Sequence, residues 1–439
     1  MVDVIIHVDI LRKKPSKKCI LAKELMDIVQ GELKQLKKII PGSKITEFAD
    51  ERLKEHVQNI CLSEVESSRE KLLDAEASSQ DTKPTELSSD QVIFQCHVYD
   101  LDTSGPSVGT ISTGEGGSND ERPAFNHWIL PSADFNSLWD NLIYDCNIKE
   151  KLLNYAETTM FFSQHNLDPN IITWNRLVLL HGPPGTGKTS LCKAIANKLS
   201  IRLNYKFRHG ELIEINSHSL FSKYFSESGQ LVMHMFDKIK EHLEDSNALI
   251  FVLIDEVESL TMSRQNVCGN EPSDAIRVVN AILTQIDQLK RYPNVLLLTT
   301  SNVTGAMDCA FMDRADIKQF IGPPSKYGIY SIYKTCIDEL YRTGMILRTD
   351  NCKLLPISVI RSHVFNGEGD DSTKRLLEIS QESVGLSGRA LRKIPFLAYA
   401  HYIRSRIIEL KDFLDGLEIA VELYRKEEST SLSNPKTSS

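Results

Sequence analysis

The sequence lacks several features that mark special classes of protein. Its nine cysteines form no Cys-x-x-Cys pair, which argues against a disulfide framework or a cysteine-based zinc site and favours a reducing compartment. Its longest uncharged run of interest, residues 292–307, is too short to cross a bilayer and contains polar residues. Bases are not in excess: 51 Lys and Arg stand against 59 Asp and Glu, for a formal net charge of −8. We therefore expect no membrane span and no direct nucleic-acid binding driven by overall charge.

The first 102 residues have the pattern of a small α+β domain. Residues 2–10 alternate like a strand rather than resembling a signal peptide, and residues 91–101 are also strand-like. Residues 20–40 carry apolar side chains at helical spacing and end at Pro-Gly. We expect the two strands to share one sheet, with the polar stretch 63–90 forming a mobile loop or a solvated helix.

A composition change follows this domain. At 439 residues and 41% hydrophobic content, the chain has room for two to four domains. Segment 103–122, with five Gly and four Ser, predicts a flexible linker. Beyond it, nearly continuous apolar runs at 176–181, 248–254 and 294–300 predict parallel strands buried on both faces.

Helical patterns alternate with these strands and then dominate the end of the chain. Alternation of this kind is typical of an α/β fold with a parallel sheet. We expect an α/β subdomain at 123–324, a helical subdomain at 325–426 and a disordered tail at 427–439. Within the α/β subdomain the predicted helices are 188–199, 228–243 and 273–289, and 212–216 is a weaker strand candidate.

Eight consecutive residues match the phosphate-binding pattern G-x-x-x-x-G-K-[ST]. They are Gly182, Pro183, Pro184, Gly185, Thr186, Gly187, Lys188 and Thr189. The match follows a predicted strand and opens a predicted helix, which is the context that a P-loop requires. We expect backbone N–H groups to surround the phosphates of ATP, Lys188 to reach the β- and γ-phosphates, and Thr189 to bind Mg²⁺. A plain glycine-rich turn is the alternative.

Polar side chains end the two apolar runs that follow. Asp255 and Glu256 come at the end of the first run, where parallel sheets place ligands. We expect Asp255 to hold Mg²⁺ beside Thr189, and Glu256 to polarise the attacking water. Asn302 ends the second run, and its amide is suited to sense the γ-phosphate. The alternatives are an Asp-Glu turn and an Asn turn.

Two arginines complete the candidate site. Arg314, in an Asp-Arg-Ala-Asp segment, is a candidate finger that would stabilise transition-state charge on a neighbouring subunit's nucleotide. Arg389, in Gly-Leu-Ser-Gly-Arg, opens an amphipathic helix and could reach the phosphates of its own subunit. For either arginine alone, a surface ion pair is the commoner role.

Together these motifs resemble an AAA+ ATPase module with a helical lid. Four segments narrow the resemblance to the pachytene checkpoint protein 2 family, whose animal members are also called thyroid receptor-interacting ATPases. They are 219–228 (SLFSKYFSES), 271–280 (EPSDAIRVVN), 313–318 (DRADIK) and 385–389 (GLSGR). The resemblance extends from about residue 123 to 400 and is weaker before residue 103.

The resemblance implies a homohexameric enzyme that hydrolyses ATP with Mg²⁺ and remodels HORMA-domain proteins from closed to open. It also implies roles in meiotic chromosome-axis control, recombination and synapsis surveillance, and the spindle checkpoint. Substrates would bind the N-terminal domain, in some cases through a HORMA-like adaptor, in the nucleus (on chromosomes and at kinetochores) and in the cytoplasm. The family position of Lys223, Tyr224 and Phe225 faces the central pore. On the residues alone, packing of the two aromatics under the next helix is the simpler interpretation.

Two other functions fit parts of the pattern. A nucleic-acid-dependent AAA+ loader would share the nucleotide motifs, but the acidic composition argues against it. A non-catalytic scaffold that uses nucleotide only to assemble would not need the complete set of candidate catalytic residues. The sequence therefore favours an ATPase that acts on protein.

Overall fold

The structure is a computed structural model of the chain. It describes residues 4–13, 21–36, 39–40, 42–66, 92–112, 121–165, 167–168, 171–216, 228–258, 272–302, 309–347, 354–361, 371–403 and 405–433. Three regions follow one another along the chain: an α+β N-terminal domain, an α/β domain and a helical domain. This order confirms the predicted fold class.

The N-terminal domain is a four-stranded sheet packed against helices. In chain order its elements are β1 (Val4–Arg12), α1 (Ala22–Gln35), β2 (Lys44–Ile45), α2 (Glu51–His56), β3 (Val57–Glu66) and β4 (Val92–Tyr99). The strand order is β2-β3-β1-β4. Apolar residues of α1, such as Leu25 and Val29, pack on Ile6, Val8 and Ile10 of β1 in one core. The apolar residues that alternate along β1 and those at helical spacing in α1 therefore face each other in one core.

The two strands expected to share a sheet do so. β1 and β4 are parallel neighbours, in register from Val4↔Val92 to Leu11↔Tyr99. β3 was not predicted from the sequence. Its last four residues, 63–66, lie in the stretch that was expected to be a mobile loop or a solvated helix, so that expectation is wrong for them. This strand has only a weak apolar pattern. It forms because its backbone hydrogen bonds pair it with β1, and such tertiary context outweighs local preference. Residues 67–91 lie outside the described part of the chain.

The α/β domain is built on a seven-stranded sheet. Its strands are β5 (Ser107–Ser112), β6 (Glu121–Leu130), β7 (Leu177–His181), β8 (His209–Asn216), β9 (Ala248–Asp255), β10 (Val295–Ser301) and β11 (Ile317–Phe320). The order is β11-β7-β10-β9-β8-β6-β5. The five strands from β11 to β8 are parallel, whereas β6 and β5 add antiparallel at one edge.

The predicted linker is therefore partly a hairpin. β5 pairs with β6 from Ser107↔His127 to Ser112↔Glu121, so a flexible linker over 103–122 is wrong for these strands. The glycine content of this segment suggested a flexible chain. One of these glycines, Gly109, instead makes room for the Phe125 ring, because a Cβ there would lie 2.4 Å from it. Phe125 in turn packs in the domain core.

Helices cover both faces of the sheet. They are α3 (Leu138–Asn141), α4 (Ile148–Gln164), α5 (Lys188–Arg202), α6 (Ser228–Leu243), α7 (Pro272–Leu289) and α8 (Cys309–Met312). β9 alternates between the two cores: Ile250, Val252 and Ile254 face α6 and α7, whereas Leu249 and Phe251 face α5. Burial on both faces explains why its sequence is continuously apolar.

The helical domain has a core of its own. Its helices are α9 (Lys326–Arg342), α10 (Ile357–Arg361), α11 (Asp371–Glu382), α12 (Gly388–His401) and α13 (Leu410–Ser433). Tyr330, Tyr333 and Phe413 are fully buried between them. Because α13 continues to Ser433, the expected disordered tail is wrong for 427–433. None of the helices in the described part of the chain combines the length and apolarity needed to cross a bilayer.

The N-terminal domain packs on the far end of α5. Leu11 and Tyr99 contact Ile201 of that helix in a small buried cluster. Beside it, Asp9 of β1 and Lys198 of α5 form a buried ion pair, with side chains 3% and 11% exposed. The first residue of α5 is the P-loop lysine, so one helix connects the N-terminal domain to the candidate nucleotide site.

Candidate nucleotide-binding site

The predicted site residues meet at the carboxyl edge of the parallel sheet. The P-loop follows β7, Asp255 ends β9, and Asn302 follows β10. The register places Ser301 of β10 beside His181 of β7, so these strand ends are neighbours. Parallel sheets place ligands at this edge, because loops and helix N-termini converge there.

The P-loop backbone depends on glycine at two close approaches. Gly182 has φ of +147°, and a Cβ there would lie 2.1 Å from the carbonyl oxygen of Ile321. Gly185 has φ of +77°, and a Cβ there would lie 2.9 Å from the Ser387 hydroxyl. A side chain at Gly182 would therefore disturb the residue that follows β11, and one at Gly185 would disturb the helical domain. The N–H groups at the start of α5 follow this turn, as an anion-binding loop requires.

Lys188 folds over the loop that carries it. Its ammonium donates to the carbonyl oxygens of Gly182 (2.9 Å) and Pro183 (2.8 Å), and the residue is 5% exposed. The Thr186 hydroxyl donates to the same Pro183 carbonyl at 3.0 Å. The lysine is thus held within the phosphate cradle by backbone carbonyls.

Charges around the site act on this lysine. Burial lowers the pKa of Lys188, and the nearby Arg389 charge lowers it further. The carboxylates of Glu258, Asp255 and Glu256 act in the opposite direction and raise that pKa. The site therefore combines two cations with three acids around one loop, which suits a polyphosphate bound with a metal ion.

Hard oxygen ligands lie together beside the P-loop. The Thr189 hydroxyl donates to Asp255 Oδ1 at 2.8 Å, and the Thr300 hydroxyl donates to the same oxygen. Mg²⁺ prefers such hydroxyl and carboxylate oxygens and keeps several waters. The donor set of Thr189 and Asp255 therefore fits the predicted magnesium site.

Glu256 is held in an unusual backbone conformation. Its φ is +56°, which non-glycine residues rarely adopt and which points to a functional constraint. Its N–H donates to the Thr300 hydroxyl at 3.2 Å, and the Asn302 side-chain amide donates to its Oε1 at 3.3 Å. The structure thus brings the predicted base and the predicted sensor into contact.

Two residues at this edge were missed by sequence reasoning. Thr300 connects Asp255 with the Glu256 backbone, and Glu258 Oε1 accepts the N–H of Asn302 at 3.0 Å. Thr300 lies in the polar Thr-Thr-Ser-Asn tip of β10, which is a signal that points to it. Glu258 follows the acidic pair by two residues and carries no comparable signal.

The helical domain contacts the P-loop directly. The Arg389 N–H donates to the Gly185 carbonyl at 3.0 Å, and Ser387 caps α12 by accepting the Ala390 N–H at 3.2 Å. The Arg389 side chain is exposed, and its charge acts on Lys188. Arg389 therefore lies beside the phosphate cradle of its own chain, where sequence reasoning placed it.

Arg314 does not join this site within one chain. It precedes β11, and Asp316 lies next to Leu177, at the amino edge of the sheet opposite the P-loop. A bidentate pair with Asp287 holds the guanidinium, at 3.0 and 2.8 Å. This position keeps the guanidinium away from the nucleotide site of its own chain. Lys223, Tyr224 and Phe225 lie outside the described residues.

Comparisons with known proteins agree with this geometry. Residues 178–323 match the family model for the ATPase family associated with various cellular activities (AAA). Residues 325–425 match the TRIP13-like AAA+ ATPase lid C-terminal domain, and residues 1–104 match the TRIP13 N-terminal domain. The fold and site thus define an AAA+ ATPase.

Individual relatives specify the family. The pachytene checkpoint protein 2 homolog of Xenopus tropicalis is 49% identical over 418 residues, covering 95% of this chain and 92% of the relative. The Homo sapiens homolog is 50% identical over 380 residues, covering 86% and 84%. The solved structure of C. elegans PCH-2 is 34% identical, with a TM-score of 0.71, covering 96% of this chain and 99% of that one. The chain belongs to the pachytene checkpoint protein 2 family.

Proposed function

We propose that this AAA+ ATPase works as a homohexamer that uses ATP hydrolysis to convert HORMA-domain proteins from closed to open. Family membership and the assembled nucleotide site support the proposal. By the same reasoning it acts in meiotic chromosome-axis and synapsis control and in spindle checkpoint signalling. Its locations are then the nucleus, on chromosomes and kinetochores, and the cytoplasm.

The site residues suit the steps of ATP hydrolysis. The P-loop N–H groups and Lys188 hold the phosphates. Thr189 and Asp255 would hold Mg²⁺, which when bound would supply positive charge to offset that of the phosphates. Glu256 orients the attacking water and takes up its proton. Asn302, bonded to Glu256 at 3.3 Å, connects this base to the state of the γ-phosphate.

Two arginines respond to the nucleotide from opposite sides. Arg389 acts in its own chain, since its N–H bonds the P-loop carbonyl of Gly185. Arg314 acts in trans across a ring interface, because Asp287 holds it at the opposite edge of the sheet. Assembly into a ring therefore completes the catalytic site.

The position of α5 is the main support for a coupling between the nucleotide site and the N-terminal domain. It begins at Lys188 in the P-loop and spans about 22 Å for its 15 residues. At its far end it contacts the N-terminal domain through Lys198 and Ile201. Just beyond it, the Asn204 amide donates to the Val98 carbonyl of β4 at 2.9 Å. Movements of the P-loop are thus passed along a rigid helix to the domain that binds substrate.

Substrate enters this scheme at two places. The N-terminal domain binds the HORMA-domain protein, directly or through a HORMA-like adaptor. Lys223, Tyr224 and Phe225 then grip an unfolded segment in the central pore, where hydrophobic contact needs no particular sequence. Neither step requires nucleic acid or a membrane.

A substrate trap tests the proposal. The Glu256→Gln variant should bind ATP, hydrolyse it poorly and retain substrate, because the charge that activates water is lost. Lys188→Ala, which should not bind ATP, is the matched control. After incubation with ATP and nuclear extract, the trap should enrich HORMA-domain proteins over the control. Recovery of only DNA or sliding-clamp subunits would instead indicate a nucleic-acid-dependent loader.

A further inference from the structure

A cluster of histidines around one carboxylate lies far from the nucleotide site. Glu211 is near the start of β8, at the amino edge of the sheet, whereas the P-loop is at the carboxyl edge. His127 of β6 lies two residues along from the partner of Glu211, on the same face. His242 reaches the cluster from the last turn of α6. The ATPase site uses none of these residues.

The distances bring three potential metal ligands together. His127 Nε2 lies 3.0 Å and His242 Nδ1 lies 2.9 Å from the same oxygen, Glu211 Oε2. All three ligand atoms lie within 4.8 Å of one another. Ligand atoms around a tetrahedral Zn²⁺ are about 3.3 Å apart, given bonds of about 2.0 Å. A small shift of the side chains would therefore suffice to enclose an ion.

Hydrogen bonds around the cluster orient its donors. The Ser107 hydroxyl donates to the His127 carbonyl oxygen at 3.2 Å and lies 3.2 Å from His127 Nδ1. The hydroxyl thus contacts the Nδ1 side of the ring, and Nε2 on the other side faces the Glu211 carboxylate. An imidazole nitrogen and a carboxylate oxygen at this distance can share a cation, either a proton or a metal ion.

The surroundings support the same geometry. His209 Nε2 bonds the other carboxylate oxygen, Glu211 Oε1, at 3.0 Å and so fixes the carboxylate plane. The Phe125 ring packs edge-on against the His242 ring, with 6.5 Å between the ring centroids. Glu211 and His127 are 13% and 16% exposed, whereas His242 is 34% exposed and offers an entry path. Supporting contacts of this kind are typical of metal ligands.

We propose that His127, His242 and Glu211 form a zinc site, with a water in the fourth position. Two imidazole nitrogens and one carboxylate oxygen suit Zn²⁺, whereas Mg²⁺ prefers oxygen ligands alone. The ion would join the end of α6 to the β5–β6 hairpin and to β8. Its role is structural: it would fix the sheet edge on which α6 packs.

Zinc binding by the full-length protein, stripped of metal and free of nucleotide, tests the site. Calorimetry with Zn²⁺ in excess Mg²⁺ keeps the oxygen ligands near Thr189 from competing. Wild type should bind about one Zn²⁺ per chain, and Co²⁺ in its place should give the visible absorption of a tetrahedral site. His242→Gln and Glu211→Gln should weaken binding by about tenfold or more. His234→Gln, an exposed histidine on the same helix, should bind like wild type.

The results of this experiment distinguish a zinc site from a cluster that is held together by a shared proton. Equal zinc binding by wild type and His242→Gln, or no binding by wild type at micromolar zinc, overturns the proposal and leaves a proton-bridged cluster. Thermal midpoints without zinc check folding, and because His242 is at the surface end of α6, its variant should match wild type. With zinc, only wild type and His234→Gln should gain thermal stability. The assay uses no ATP, so it does not depend on the proposed function.

Discussion

Lys198→Met removes one partner of the buried ion pair between the N-terminal domain and α5. Asp9 would keep its burial but lose the ammonium that compensates its charge; the Ser63 hydroxyl, at 3.4 Å, offers only a long hydrogen bond. Losing one partner of a buried pair costs about 3–5 kcal/mol. At about 1.4 kcal/mol per tenfold, local opening of this interface should increase roughly 100- to 4,000-fold. Asp9→Leu combined with Lys198→Met should recover most of that loss, because no buried charge remains.

Hydrogen exchange measures this effect where it occurs. Peptides covering β1 and the second half of α5 should lose protection in Lys198→Met, whereas peptides of the helical domain should not. Lys151→Met, at an exposed position on α4, is the control and should stay within about 0.5 kcal/mol of wild type. Global unfolding is less informative, since a chain of several domains need not unfold in one step.

The pH dependence of hydrogen-exchange protection at this interface should have opposite signs in wild type and in Lys198→Met. Burial alone would raise the pKa of Asp9, but Lys198, His97 and Arg202 lower it below its ordinary value. The pair therefore stabilises wild type above about pH 4 and is lost as pH falls through the lowered folded pKa. Without Lys198, burial favours the neutral carboxyl, so acidification from pH 7 should restore protection. Wild-type protection in Lys198→Met, or the same pH slope, would refute the coupling of the two domains through this pair.

Three further variants probe the nucleotide site. Thr300→Val removes the hydroxyl that bonds both strand-end acids and should lower turnover about 10- to 100-fold at saturating ATP, whereas Thr284→Val on the exposed face of α7 should not. Arg314→Ala should abolish turnover with nucleotide affinity unchanged by calorimetry, and normal turnover would remove it as the trans-acting residue. Gly185→Ala should cost about tenfold or more in ATP affinity, because a Cβ there meets the helical domain. Gly344→Ala has a similar φ of +74° with open space around it, so equal loss of affinity there would contradict the contact argument.

Local patterns predicted the parts of the fold that depend on local chemistry. β7, β9 and the first four residues of β10 form nearly continuous apolar runs because both faces are buried, and the P-loop motif needs its glycines wherever it occurs. These signals located the nucleotide loop, the acidic pair and the sensor without tertiary information. The position of Arg389 at the start of an amphipathic helix likewise led us to expect that it could reach the phosphates of its own chain.

Features that depend on distant partners escaped prediction. Asp9 and Lys198 are 189 positions apart, so nothing local indicated that they pair. β5 and the first two residues of β6 lie in a segment with the composition of a linker, and their pairing at the edge of the sheet has no signal in the local sequence. Arg314 was only a candidate from the sequence, and its bidentate pair with Asp287 became visible only in the structure.

Release of a trapped peptide is the most direct test of ATP-driven remodelling. A closed HORMA-domain protein would be loaded with a fluorescent partner peptide and mixed with this ATPase, a HORMA-like adaptor and ATP, while anisotropy follows the peptide. Wild type should release the peptide with ATP, and Glu256→Gln and Lys188→Ala should not. Release without ATP, release by Glu256→Gln at the wild-type rate, or no release while ATP is being hydrolysed would contradict the account.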